Sequence, residues 1–176
     1  MRRRVTSIGE QTKKRKTSKS VPLVGHIFSS PKIKINIAKG KYDFYRADLE
    51  LYGIDHSGPS YEGRVFLNNT EADQNAAMVK KNGYAGSYHI FGHGGCFGDL
   101  GHCDVQPRRT YDHRAQHPLT PAFKSMVITD VFNRIIKTTN EIVVTIVPII
   151  SVGGRMSDMK NVVRCERIRI NTYENI

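Results

Sequence analysis

Two of the chain's three cysteines and three of its seven histidines fall between Tyr84 and Asp104, where a short apolar strand runs into a glycine-rich turn. His93, Cys96, His102 and Cys103 lie within eleven residues of one another. Imidazole and thiolate together suit zinc or copper. The glycines from Gly92 to Gly101 would let the loop fold around an ion, and Asp99 could supply an oxygen ligand or a turn. Against a metal, the spacing matches no standard zinc module, and the side chains of adjacent His102 and Cys103 tend to diverge. A Cys96–Cys103 disulfide, or free thiols with the histidines bonded to loop backbone, is the preferred reading of these residues. The redox compartment decides between those two. Cys96 beside a histidine could also form a thiolate pair. Ser57, Ser60 and Ser87 lack a nucleophile-elbow context, and no glycine-rich phosphate loop opens a helix. His113 and His117 lie just before Pro118 and Pro121 and are read as loop residues.

Charge is the second feature that could do chemistry. The net charge is +11, and residues 1–20 hold eight Lys or Arg against one Glu. The excess sits in Arg2, Arg3 and Arg4 and in Lys13, Lys14, Arg15 and Lys16. Such a segment buries too little apolar surface to fold alone. A solvated tail is the default, with a nuclear-import-like cluster, a nucleic-acid arm and an organelle transit peptide as the sharper readings. The arm carries no aromatic residues for base stacking, so contact with nucleic acid through it would be to phosphate and salt-dependent. Its lysine-rich, weakly amphipathic character counts against a transit peptide. No apolar run approaches the roughly 18 to 20 residues of a membrane span, and no apolar segment follows the basic residues as in a secretory signal. The expected location is cytoplasmic by default, with nucleus or organelle open through the basic N-terminus. Three cysteines are too few for a disulfide framework.

The elements that must position these residues are strands. Ile33, Ile35 and Ile37 alternate with polar residues, and Phe44 to Ile54 and Tyr61 to Leu67 do likewise. Tyr84 to Phe91 is strand-like, and Asn68, Asn69 and Thr70 read as the turn after Leu67. Val105 to Pro121 is a long proline-containing loop. Ser125 to Ile128 is a short strand. A helix near Asp130 to Lys137 follows, capped by Thr129 or Asp130. Glu141 to Ile150 reads as a strand buried on both sides, and Val162 to Tyr173 closes the fold. The expected architecture is all-β: an antiparallel β-sandwich of about seven strands with one short helix and a basic N-terminal arm. The arm is expected to be extended over 1–21, with a linker over 22–31 and the sandwich over 32–176. Ile35, Leu49, Leu51, Val65, Leu67, Val143, Thr145, Val147, Ile168 and Ile170 are the expected core.

Several blocks, in matching order, resemble the C-terminal β-sandwich domain of the tyrosinase, polyphenol oxidase and haemocyanin superfamily. They are Leu23 to Gly25, Ile54 to Asn69, Gly83 to Val105, His117 to Pro121, Ile142 to Pro148 and Arg167 to Ile170, and together they span roughly residues 22–173. Tyr84 to Val105 is the specific part. The resemblance implies a sandwich that packs over a separate helical domain, shields its pair of histidine-held copper ions and controls substrate access. Such a copper pair needs histidines projected from a helix bundle, whereas the histidines here sit in strands and loops. No catalysis is therefore expected from this chain alone, and no cofactor is expected within it. Copper would come through a partner or through the His93–Cys103 loop.

Three functions follow from the resemblance and the residues. The chain acts as a non-catalytic accessory domain, capping a tyrosinase-like copper domain in trans or as half of a split enzyme. Alternatively, the sandwich is a structural or binding subunit of a larger assembly, anchored by its arm to nucleic acid or an acidic partner. As a third reading, it handles copper through its His/Cys loop.

Overall fold

Ala47, Leu49 and Leu51 are fully buried and alternate with polar neighbours, which makes Arg46–Ile54 a strand with one face committed to a core. The computed structural model describes residues 3–12, 27–36, 44–56, 58–92, 110–111, 121–150 and 162–175. Within them the strands are β1 (Arg3–Thr12), β2 (Phe28–Ser29), β3 (Ile33–Lys34), β4 (Arg46–Ile54) and β5 (Tyr61–Leu67). They continue as β6 (Tyr84–Ile90), β7 (Ala122–Val127), β8 (Glu141–Ile142), β9 (Val144–Ile150) and β10 (Arg167–Asn175). One helix, α1 (Thr129–Ile135), and a 3-10 turn at Lys80–Asn82 complete the described elements. The protein is all-β.

Among the described residues all strand pairs are antiparallel. One four-stranded sheet runs β1-β10-β4-β7, a second runs β2-β9-β5-β6, and β3 pairs with β8. One hydrophobic cluster draws Leu49, Leu51, Ile168 and Ile170 from the first sheet and Val65, Leu67, Val144 and Ile146 from the second. The two sheets therefore share a core. Phe66 and Val147 are buried on the other side of the second sheet, where they meet Ala72. That is why β9 reads as apolar on both faces.

The register corrects part of the expected core. Ile142 and Val144 are buried, whereas Val143 is only half-buried and breaks the run into β8 and β9. The cause lies far away in sequence. Asn68, held at φ 54°, accepts the Val143 N–H on Oδ1 at 2.7 Å and donates Nδ2 to Glu141 O at 3.1 Å. Thr145 and Val147 are buried as expected, but Thr145 Oγ1 has no hydrogen-bond partner.

Two further features lie outside the alternation pattern. β1, within the stretch read as an arm, pairs along β10 from Arg3 opposite Asn175 to Thr12 opposite Arg167, with a bulge between Ser7 and Gly9. β2 lies within the stretch read as a linker. The expected cap at Thr129 or Asp130 is not formed: the N-cap position is Ile128, whose side chain has no acceptor, and the Thr129 hydroxyl, already inside the helix, accepts the Ala47 N–H at 2.9 Å. Among the described residues no helix is long and apolar enough to cross a membrane.

Candidate functional site

β5 and β6 pair from Tyr61 opposite Ile90 to Phe66 opposite Tyr84, and the sequence runs on from the Ile90 end into the His93–Cys103 segment. Gly92, just before that segment, is clamped. The Gly92 N–H donates to Ser60 Oγ at 3.0 Å. A Cβ on Gly92 would stand 2.1 Å from Gly58 O and 2.3 Å from the Pro59 carbonyl carbon, so only glycine fits against that turn. Beside the clamp Phe91 is 85% exposed. An aromatic side chain left in water at a fixed strand end is available to a partner.

Beneath the clamp lies a buried pair of phenols. Tyr61 and Tyr88 are almost fully buried, with ring centroids 6.0 Å apart in an edge-on arrangement and hydroxyls 3.5 Å apart. Gly63 makes the room, since a Cβ there would meet the Tyr88 ring at 2.5 Å. The third cysteine, Cys165, is also buried, and its thiol donates toward the carbonyls of Tyr52 and Arg167 at 3.2 Å each.

Burial pushes the Tyr61 phenol up to about 12, against a smaller opposing effect of its bond to Tyr88. Burial, then the neighbouring Tyr61, raises Tyr88 further. Both phenols are therefore protonated at neutral pH, where they pack and hydrogen-bond and supply no phenolate.

The same shifts set an alkaline limit on stability. An unfolded tyrosine ionises near pH ~10, while the folded chain holds both protons to about pH 12 or beyond. Between those values the folded state binds more protons, so stability is intact below about pH 10 and falls as pH rises. The fall is at most about 1.4 kcal/mol per pH unit for each tyrosine. Urea melts across this window should show the loss, and Tyr61→Phe should lose less than the wild type.

His93, Cys96, Asp99, His102 and Cys103 lie outside the described residues, as do Arg2, Lys13, Lys14, Arg15 and Lys16. Arg3 and Arg4 lie on β1, opposite Asn175 and Glu174. His89 is exposed on β6, opposite Glu62. Among the described residues no three His, Cys, Asp or Glu side chains form a metal-binding group. Sequence reasoning missed the Ser60–Gly92 clamp and the Tyr61–Tyr88 pair. The two glycines that permit them, Gly92 and Gly63, were the only available signal. No protein-family model matches the chain, and no curated protein matches it.

Proposed function

We propose that the chain is a non-catalytic accessory module that packs against a tyrosinase-like copper domain and governs phenol access to its copper pair. One observation carries this reading. Two blocks that bear the resemblance, at β5 and β6, are hydrogen-bonded partners, and their common end holds the clamped Gly92 beside the exposed Phe91. Buried aromatic anchors carry much of the binding energy at protein interfaces, and Phe91 supplies one. Copper belongs to the partner in this reading, and His93, Cys96, His102 and Cys103, which follow Phe91 in the sequence, would serve as a staple or as added ligands.

A second reading has its own support. β1 is hydrogen-bonded along β10, so the chain immediately before Lys13, Lys14, Arg15 and Lys16 is fixed to a sheet edge. A cationic run tethered in that way would anchor the module to an acidic partner or to nucleic acid.

One mixing experiment addresses both. At micromolar concentration the chain should form a complex with a tyrosinase-like copper domain and slow its oxidation of phenols. Phe91→Asp should weaken that complex by about ten-fold or more. Failure to form a complex would remove the capping reading. Binding that instead disappears when Lys13, Lys14, Arg15 and Lys16 are changed to Ser, and that weakens steeply with salt, would assign the contact to the arm.

A further inference from the structure

The sheet β1-β10-β4-β7 has a second face. The register sets Tyr52 opposite Arg167, Glu50 opposite Arg169, Asp48 opposite Asn171 and Arg46 opposite Tyr173. Directly opposed residues project to the same side. The alternate set, Leu49, Leu51, Ile168 and Ile170, is in the core, so these pairs project outward. Across β4 the same side continues onto β7, with Ser125 opposite Glu50 and Val127 opposite Asp48.

Aromatic rings and guanidinium groups interleave on this face. The Arg167 guanidinium lies over the Tyr52 ring at 4.1 Å and that of Arg169 at 5.6 Å, while Arg46 lies over Tyr173 at 5.3 Å. The Tyr52 ring in turn packs on Phe123, centroid to centroid 4.9 Å, and Phe123 is 51% exposed. The two carboxylates of the β4 ladder are engaged within the face. Asp48 is buried and accepts from Arg46 Nε at 2.7 Å, and Glu50 accepts the Tyr52 hydroxyl at 2.5 Å. Three arginines against those two acids leave the β4–β10 ladder positive, while β1 sets Glu10 in register opposite Arg169 and Arg3 opposite Asn175. At the Arg167 end, β1 finishes at Thr12 and the sequence continues directly into Lys13, Lys14, Arg15 and Lys16.

We propose that this face binds single-stranded nucleic acid, with bases stacking on Phe123 and on the Arg167–Tyr52 pair. Arg169 meets the backbone phosphates. Flat rings and guanidinium planes accept any base, while the excess positive charge answers the phosphates. A duplex hides its base faces and would gain only the charge term. The assignment is independent of the capping reading, which uses the end of the other sheet.

Fluorescence anisotropy of the full chain with labelled oligo-dT, oligo-rU and a duplex, each about 20 nucleotides long, tests it. Either single strand should bind more tightly than the duplex, and a preference between the two would name the source. Phe123→Ala should weaken single-strand binding about 5- to 100-fold while lowering the melting temperature far less than a core truncation, because the ring is 51% exposed. Arg169→Ala should weaken binding and reduce the slope of log K against log salt by about one. Changing Lys13, Lys14, Arg15 and Lys16 to Ser should lower affinity while preserving the preference for single strands. Equal affinity for duplex, wild-type affinity in both Phe123→Ala and Arg169→Ala, or no binding to any oligonucleotide would overturn the proposal.

Discussion

Phe132→Ala is expected to remove about 3–5 kcal/mol of stability, a large share of the roughly 5–15 kcal/mol that holds a domain of this kind together. Phe132 is fully buried, and its ring packs on Phe44 at 5.6 Å. It also sits in the middle of α1, where its N–H donates to Ile128 O at 2.9 Å and its carbonyl accepts from Ile136 at 3.0 Å. A helix of seven residues has no independent stability. It persists because Val131 and Phe132 face the core. Truncating the ring therefore opens a cavity and releases the helix that follows β7. Urea titration should show a lower midpoint, with hydrogen exchange rising first across α1. A midpoint within experimental error of the wild type would mean that the helix is held by something other than this ring.

Gly83→Ala is the second large effect, and its origin is in the backbone. Gly83 has φ +81°, and a Cβ there would stand 2.2 Å from Leu67 O. That oxygen belongs to the end of β5 and has no flexible side chain to swing aside. The Leu67 N–H also donates to Gly83 O at 2.8 Å, so the two segments cannot separate without losing this bond. The left-handed conformation costs about 1–2 kcal/mol for a residue with a side chain, and forced overpacking adds about 1–3 kcal/mol. A total of about 2–5 kcal/mol is expected. Gly58→Ala is the contrast, since a Cβ there meets nothing within 4 Å. Thermal melts of the two variants should separate clearly. If both melt like the wild type, the tight approach of Gly83 to β5 is not maintained in solution.

Local alternation made much of the fold legible. Tyr61–Leu67 and Tyr84–Ile90 are strands because side chains of opposite polarity must part to opposite faces, and a strand achieves this every second residue. The buried run of β9 is legible for a different reason: a strand covered on both faces is apolar at successive positions. β1 is not legible, because Arg3–Thr12 has no apolar stripe. It becomes a strand by pairing with the exposed edge of β10, whose N–H and C=O groups form a template that no local pattern announces. The apolar neighbours Ile142 and Val144 predict a core position for Val143 that it does not take. The two hydrogen bonds from Asn68 that divide the run come from a residue some 75 positions away.

The candidate sites divide along the same line. Cys96, His93, His102 and Cys103 drew attention through type and spacing, and the cationic runs did so through charge. The clamp at Gly92 and the stack of Arg167, Tyr52 and Phe123 join residues far apart in sequence. The chain by itself determined that the protein is all-β, where most strands and the helix fall, and which residues have the chemistry to be ligands or cations. Tertiary structure decided that β1 belongs to the sheet, and that Ser60 holds Gly92. It also set Arg167 over Tyr52. Residue type and alternation are local properties of a chain, whereas strand order and register depend on which distant backbone groups find each other, and a register shift of one residue would turn every one of these side chains to the opposite face.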